Sequence, residues 1–355
     1  MSYADQVFID MCRDILENGT STEGEAVRPH WPDGTPAYTI KKFGVVNRYD
    51  LRKEFPAVTL RKTALKSAMD EILWIYQKKS NNIHDLKSHV WDEWADEYGS
   101  IGKAYGYQMA KRNKVTGITR EGMMKAFGDC KIWECDHGDW LDEFFLTEGT
   151  AEEVRALQKT SVYAADKLLS TVAYAIRQED FNPDAHGADW YMNQIDYVIY
   201  QLKNTPFSRR IITMLWNPSQ AADMALEPCA YSVTFNVTQE KGADKLTLNA
   251  ILNQRSQDIL AANAWNVAQY ALLVMMIAQV CDMIPGELIH VIADAHIYDR
   301  HVPLVEELIE RTPQPAPKVW LNPEVKNFYK FTTDDLHVEN YEVGGPQIKD
   351  IPIAV

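Results

Sequence analysis

The chain has 355 residues, a hydrophobic fraction of 46% and 10 tryptophans, enough apolar material for one large domain or two ordinary ones. Its formal net charge of −14 opposes nonspecific binding to nucleic acid, so an anionic ligand would need a local cluster of arginines. Five irregularly spaced cysteines and an N-terminus without a signal-peptide pattern predict a reduced, cytoplasmic protein.

Hydrophobic periodicity predicts the elements of the first half of the chain. Helices are predicted over 5–17 and 63–79, and the proline-rich segment 22–40 is expected to be a loop. Residues 110–190 change from a basic patch to an acidic patch with tryptophans and then to a helix-like run. This change of character predicts a small inserted subdomain.

The second half of the chain mixes helices and strands. A helix is predicted over 192–203 and another over 266–283. Strand-like runs lie at 210–216, 231–238, 245–252 and 288–293. Because no regular βαβ alternation is present, the pattern predicts one α+β domain over 1–355, in which a mixed β-sheet packs against helices.

One uncharged stretch, 259–281, is long enough to cross a bilayer. It contains four amide side chains, and Asp258 and Asp282 flank it without a basic anchor. We therefore expect a buried core helix here, and not a membrane span.

Cys229 stands at the start of a predicted strand in the segment LEPCAYSVTFNV. A buried cysteine commonly serves as a small apolar side chain, whereas a nucleophile needs positive charge or a base nearby. Adjoining segments carry Arg209 and Arg210 in PFSRRIIT, and Arg255 in NQRSQD. These arginines are either solvated strand ends or a clamp for phosphate, to which the hydroxyl of Ser256 would add a donor.

Three further positions are candidates for contacts with a ligand. His296 and Tyr298 share one side of an extended strand, either as a half-buried pair or as a grip on a sugar hydroxyl. Glu71 lies on or beside an apolar helix face, so its pKa should be raised unless it reaches solvent. Asn266 either caps the uncharged helix or reads a planar heterocycle, and Asp258 could accept a bond from a heterocyclic N–H.

Metal binding is not predicted. The spacing of Cys130, Cys135 and His137 lacks the separated second pair of ligands that zinc sites use. Neither a Walker A motif nor a G-x-G-x-x-G motif is present, so binding of phosphate would depend on the arginines.

Several segments, in their order along the chain, resemble the thymidylate synthase family. The resemblance runs from about residue 20 to Val355 and is weakest at 110–190, where some members carry an insertion. The matching segments are FPAVTLRKTALKSAMDEILWIYQ, HVWDEWADEYGSIGKAYGYQ, QLKNTPFSRRIITMLWNP, ALEPCAYSVTFNV, NQRSQDILAANAWNVAQYALL, ADAHIYDRH and the terminal IPIAV.

The resemblance implies a fold and a reaction. The fold would be the thymidylate synthase-like α+β fold, assembled as a homodimer through its sheet. The reaction would methylate 2′-deoxyuridine 5′-monophosphate (dUMP) at C5 to give dTMP. The co-substrate would be 5,10-methylenetetrahydrofolate, which supplies the one-carbon unit and a hydride and leaves as dihydrofolate, without a metal. Cys229 would add to C6 of the uracil ring.

The resemblance also implies the contacts of the nucleotide. Arg255 matches the arginine beside the nucleophile, which binds phosphate and favours the thiolate. Arg209 and Arg210 match a pair that reaches the active site of the other subunit. The remaining matches bind phosphate (Arg28 and Ser256), the deoxyribose 3′-hydroxyl (His296 and Tyr298) and the uracil edge (Asn266).

Other matches concern catalysis and the folate. Glu71 matches the glutamate that organises water and relays protons, and Tyr105 matches the tyrosine near the C5 proton. Asp258 matches the aspartate that holds the pterin. The folate side of the pocket is matched by Trp91, Trp94, Ala262, Trp265 and the C-terminal Val355, whose carboxylate would close over the bound folate.

Three positions depart from the pattern of the family. Ala230 follows the nucleophile, where many members have a histidine, so we expect different hydrogen bonding near the pyrimidine. Ala262 replaces a common glycine and Trp265 a usual phenylalanine. The folate side of the pocket is therefore expected to be narrower.

Three other functions fit part of the pattern. A pyrimidine hydroxymethylase would use water in place of hydride, but Asn266 disfavours cytosine, and Trp91 with the C-terminal lid favours exclusion of water. A cysteine hydrolase would pair Cys229 with His296 and leave Glu71 unexplained. A nucleotide-binding homologue that has lost catalytic activity would not need the intact set of catalytic residues.

Overall fold

A computed structural model of the chain describes residues 1–115, 117–127, 190–349 and 351–355. The strands in these ranges are β1 Thr20–Ser21, β2 Thr39–Asp50, β3 Asn113–Val115, β4 Trp190–Met192, β5 Ile212–Met214, β6 Ala230–Thr238, β7 Thr247–Gln254, β8 Gln257–Asp258, β9 Ile284–Tyr298, β10 Lys318–Leu321 and β11 Leu336–Glu339.

Two of the helices begin at side-chain caps. The hydroxyl of Ser2 accepts a bond from the amide of Ala4, and the side chain of Asn193 accepts one from the amide of Asp196. Within the described ranges the α-helices are α1 Tyr3–Asn18, α2 Leu65–Tyr76, α3 Gly106–Ala110, α4 Arg120–Phe127, α5 Gln194–Asn204, α6 Ala264–Val280 and α7 Val302–Ile309. The four predicted helices are therefore confirmed.

One mixed sheet organises the described part of the fold. Its strands follow the order β1-β2-β9-β7-β6-β5, and β8 pairs with β9. β9 runs parallel to β7 and β8, whereas the other pairs in the sheet are antiparallel. A parallel pair needs a long crossover, which α6 supplies between β8 and β9. The predicted α+β class with a mixed sheet is confirmed.

Helix α6 is the central helix of the core. It packs against α2 and β9, and Leu272, Leu273 and Met276 are fully buried. Among the described residues one stretch, Ile259–Val280, is apolar and long enough to cross a membrane, and 72% of its most apolar window is buried in the protein. The prediction of a core helix is confirmed.

The start of α6 differs from the prediction. A π-helical turn, Ile259–Asn263, precedes it, and the carboxylate of Asp258 caps that turn by accepting a bond from the amide of Ala261. Asn266 therefore lies inside the first turn of α6 and is not its N-cap. Its side-chain amide remains available for other partners.

Strand β2 was not predicted. It pairs along most of β9 in one register, and Gly44, with φ of 74°, lies between the paired residues Phe43 and Val45. The alternation of exposed residues reverses at this glycine, from positions 41 and 43 before it to positions 46 and 48 after it, so the strict alternation by which a strand is recognised in sequence is lost. Long-range pairing with β9 stabilises the strand instead.

The ends of the segment 110–190 lie close together. β3 pairs antiparallel with β4, and α4 packs against α5. A small apolar cluster joins them, formed by Val115, Ile118, Met123, Ala126, Met192 and Tyr200. Residues 128–189 lie outside the described residues, so the inserted subdomain stays a prediction.

Candidate functional site

Cys229 lies just before β6, next to Arg255 at the end of β7. The amide of Arg255 donates to the carbonyl of Cys229 at 2.9 Å. Its guanidinium donates to the carbonyls of Glu227, at 2.7 Å, and Pro228, at 3.2 Å. Because these carbonyls belong to the two residues that precede the cysteine, the positive charge is fixed near the thiol.

Opposing effects act on the thiol of Cys229. Burial raises its pKa and is the largest effect, whereas the charges of Arg255 and Arg28 lower it and that of Glu227 raises it again. The pKa lies above its ordinary value, so the thiol is protonated at neutral pH. The arginines act in the direction that a nucleophile requires, and further positive charge would favour the thiolate.

The side chain of Glu71 projects from α2 into the interior. Nε1 of Trp91 donates to one carboxyl oxygen at 2.9 Å, and Nε1 of Trp265 donates to the other at 2.6 Å. Burial raises the pKa of Glu71, and these indole bonds lower it less than burial raises it. The expected burial and raised pKa are confirmed, and the alternative of a glutamate reaching solvent is wrong.

Tyr105 connects this carboxyl to the cysteine. Its hydroxyl accepts a bond from the amide of Cys229 at 3.1 Å, and its ring packs edge-on against Trp91, with centroids 4.9 Å apart. Trp94 packs on the other side of Trp91, at 5.7 Å. Tyr105 has φ of 42° and ψ of −101°, a strained backbone for a residue with a side chain. The aromatic cluster holds it there.

Three glutamines surround the side chain of Asn266. Nε2 of Gln254 and Nε2 of Gln257 donate to its Oδ1, at 3.4 and 3.2 Å. Its Nδ2 donates to Oε1 of Gln269 at 2.9 Å. None of these glutamines was predicted as a site residue, although Gln269, an amide within the uncharged stretch 259–281, was a usable signal.

Asp258 interacts with His301, which was also not predicted as a site residue. Nδ1 of His301 lies 3.6 Å from the carboxylate, and its Nε2 lies 2.8 Å from the carbonyl of Pro352. Burial raises the pKa of Asp258, but His301, His296 and the amide of Ala261 together lower it below its ordinary value. The carboxylate is therefore ionised near neutral pH.

His296 and Tyr298 lie near the end of β9, on the same side of the strand as predicted. Their rings pack edge-to-face with centroids 5.0 Å apart. Nδ1 of His296 lies 2.9 Å from the carboxylate of Asp294, and the ring of Trp31 packs against Tyr298 at 5.6 Å. Burial raises the pKa of Tyr298 to about 12, so its hydroxyl remains a neutral donor and acceptor.

Comparison with known proteins identifies the family. The family profile described as thymidylate synthase matches residues 6–355. The chain belongs to the thymidylate synthase family. Thymidylate synthase of Bacillus mojavensis is 35% identical over 348 residues, covering 97% of each chain. Thymidylate synthase 1 of Bacillus subtilis strain 168 is 34% identical over 357 residues, covering 99% of this chain and 100% of the relative.

A solved structure agrees with these relatives. The thermostable thymidylate synthase A from Bacillus subtilis matches with a TM-score of 0.72 and 33% identity, over 99% of both chains. The protein is accordingly a methyltransferase that forms dTMP from dUMP. The family, the fold class and the reaction predicted from the sequence are confirmed.

Thymidylate synthases use methylenetetrahydrofolate as co-substrate. Among the residues that the structure describes, no group of three His, Cys, Asp or Glu side chains is arranged to hold a metal ion. Cys130, Cys135 and His137 lie outside those residues.

The C-terminal segment of the synthase reaches the loop that carries Arg28. The backbones of Val355 and His30 exchange two hydrogen bonds, at 2.8 and 3.1 Å. Arg28 is exposed, and its charge acts on Cys229. The chain end, Arg28 and the nucleophile therefore belong to one region of the molecule.

Two of the predicted phosphate ligands are exposed arginines that precede a strand of the sheet. Arg209 and Arg210 are exposed just before β5, and neither makes an ion pair within the described chain. Ser256 and Ala262 are half-buried, on either side of Asp258.

Proposed function

We propose that Cys229 is the nucleophile of this synthase and adds to C6 of dUMP. The observation that carries the proposal is the fixed guanidinium of Arg255 beside the cysteine, bonded to the backbone on its N-terminal side. Tyr105 binds the amide of the same residue. Positive charge next to the thiol lowers its pKa and so acts in the direction that activates a cysteine.

Glu71, Tyr105 and Asn266 would act on the pyrimidine. Addition at C6 makes C5 a carbon nucleophile, and its proton must later leave. The raised pKa of Glu71 makes this carboxyl a stronger proton acceptor than an ordinary glutamate, and the hydroxyl of Tyr105 lies at the cysteine. The amide of Asn266 offers one donor and one acceptor to the edge of uracil.

The phosphate and the sugar would be bound on the cysteine side. Arg28, Arg255 and Ser256 would bind phosphate from one subunit. The pair His296 and Tyr298 would hold the 3′-hydroxyl, for which their adjacency on β9 is suited.

The residues on the other side of the pocket fit a folate. The ionised carboxylate of Asp258 would accept a bond from a pterin N–H, and Trp91 and Trp94 offer aromatic faces. Ala262, Trp265 and Val355 complete the proposed contacts. When bound, 5,10-methylenetetrahydrofolate supplies the one-carbon unit and the hydride. The buried Trp91 excludes water from the reacting centre, which favours the synthase over the hydroxymethylase reaction.

We further propose that the enzyme is a homodimer formed through its sheet. The side of the sheet away from the core exposes apolar residues, and Phe43 is 89% and Val46 is 55% exposed. Other exposed members of this surface are Ile212, Met214, Ile251 and Ile284. An apolar surface of this kind is typical of an interface between subunits. Such a dimer would bring Arg209 and Arg210 to the phosphate of the partner's site.

A cytoplasmic location is also proposed. Cys12, Cys229 and Cys281 are free thiols in the described part of the chain, as a reducing compartment would keep them. The nucleophile in particular must remain reduced to react.

Mixing two inactive variants tests the shared site. Arg210→Ala and Cys229→Ala subunits, after exchange in equal amounts, should regain about a quarter of the wild-type activity, because half of the dimers carry one complete site. The matched control mixes Arg255→Ala with Cys229→Ala, whose defects lie in the same site and cannot complement. Absence of recovery in the first mixture, with exchange shown by native mass spectrometry, would contradict the shared site.

The role of Asn266 is tested by Asn266→Asp. A protonatable carboxyl can pair with either ring edge, so the preference for the uracil nucleotide over the cytosine nucleotide should fall by at least about tenfold. Equilibrium dissociation constants for dUMP and dCMP measure this ratio. An unchanged ratio would remove Asn266 from the role of base reader.

A further inference from the structure

Neighbouring side chains determine the orientation of the Asn266 amide. Uracil presents an N–H donor at N3 and an acceptor at O4, whereas cytosine presents an acceptor at N3 and an amino donor. An asparagine amide can match either pattern, because rotation by 180° exchanges its oxygen and nitrogen. Asn266 therefore distinguishes the two bases only if its rotation is prevented.

Gln257 fixes the oxygen side of that amide. Its Nε2 donates both to Oδ1 of Asn266, at 3.2 Å, and to the backbone carbonyl of Asp258, at 3.1 Å. A backbone carbonyl can only accept, so the atom that faces it must be the nitrogen of Gln257. That nitrogen in turn requires the oxygen of Asn266 opposite it.

Gln269 fixes the nitrogen side. Its Oε1 accepts from Nδ2 of Asn266 at 2.9 Å. Its Nε2 is buried, makes no short hydrogen bond among the described residues, and has a longer interaction with Glu71 that lowers the pKa of that carboxyl. Both carboxyl oxygens of Glu71 accept indole N–H bonds, so this carboxyl acts as an acceptor and keeps the nitrogen of Gln269 turned towards itself and the oxygen turned towards Asn266.

Both glutamines are almost fully buried, each with 2% of its surface exposed, and the amide nitrogen of Gln257 is fixed by the backbone carbonyl of Asp258. Ala230, which follows the nucleophile, offers no polar side chain to this region. We propose that Gln257 and Gln269 are positioning residues that hold the amide of Asn266 in the orientation that reads uracil and rejects cytosine. This inference depends on the proposed role of Asn266.

Two single variants test the inference. Gln257→Met and Gln269→Met keep a similar volume but remove the donor or acceptor that faces Asn266. In each, dUMP should bind more weakly and dCMP equally or more tightly, so that the ratio of their dissociation constants falls about tenfold. Isothermal titration calorimetry of the full-length enzyme with each nucleotide measures the ratio.

Gln279→Met is the matched control. Gln279 lies on the same helix, and its Nε2 donates to the backbone carbonyls of Asn322 and Val325, far along α6 from Asn266. Its loss should leave the ratio unchanged. The control separates a specific effect on base reading from a general loosening of α6.

The results separate the positioning role of the two glutamines from the role of Asn266 as the base reader. An unchanged ratio in both methionine variants, together with a reduced ratio in Asn266→Asp, overturns the positioning role alone. Equal weakening of both nucleotides also overturns it, because that result indicates a purely structural effect. An unchanged ratio in Asn266→Asp overturns the role of Asn266 first.

Discussion

Cys229→Ala should reduce formation of dTMP by at least about four orders of magnitude while dUMP still binds. The side chain that forms the covalent bond is lost, whereas the proposed phosphate and sugar contacts remain. A product assay that follows dihydrofolate by absorbance and the nucleotide by mass measures turnover, and calorimetry measures binding of dUMP.

Cys281→Ala provides the control for Cys229. Cys281 is also a free thiol, and burial raises its pKa to about 12, but it lies at the C-terminal end of α6. We expect its replacement to leave turnover within a few-fold of the wild type. Methylated nucleotide formed by Cys229→Ala at an appreciable rate would refute the assignment of the nucleophile.

Glu71→Gln has the second largest expected effect. Turnover should fall by about 10²- to 10⁴-fold, because the amide cannot exchange a proton in the reaction. The pKa of Glu71 is raised, so activity that needs its ionised form declines as the pH falls through that raised value. This acidic limb of the pH profile should disappear in Glu71→Gln.

Asp70→Asn is the matched control for Glu71. Asp70 is the neighbouring carboxyl on α2, equally buried, and accepts a bond from the amide of Lys87. Its variant should keep the acidic limb and change turnover far less. If both variants lost activity to the same extent and retained the limb, Glu71 would be structural and not a proton carrier.

The pKa of Cys229 depends on how its neighbours are arranged in the fold, and not only on which residue types are present. Arg255 was expected to favour the thiolate, and its charge does lower the pKa of Cys229. Burial within the same pocket raises that pKa by more. The balance explains why a second subunit that adds Arg209 and Arg210 would matter, since it would bring further positive charge and the phosphate-binding partners together.

Local patterns account for the elements that were predicted correctly. The helical repeat identifies α1, α2 and α5, and strict alternation identifies β6, because these signals lie within a single element. The alternation of exposed residues in β2 reverses at Gly44, which removes the same signal, so this strand is recognised only through its pairing with β9.

The residues of the candidate site also form two groups, those predicted from the sequence and those recognised only in the structure. Reactive side chains such as Cys229, Arg255 and Glu71 stand out because each is a conspicuous residue type in its local surroundings. His301, Gln257 and Gln269 do not, because their importance arises from contacts with residues distant along the chain or across a helical turn.

The sequence by itself determined the family, the reaction, the α+β class and the side chains available for chemistry. The α+β class follows from periodicity, and the family and the reaction follow from the order of the segments that match the family. The tertiary structure alone decided the pairing of β2, the support of Asp258 by His301 and the orientation of the amide of Asn266. Each of these depends on which donor meets which acceptor across the fold, and burial makes an unmatched pair costly.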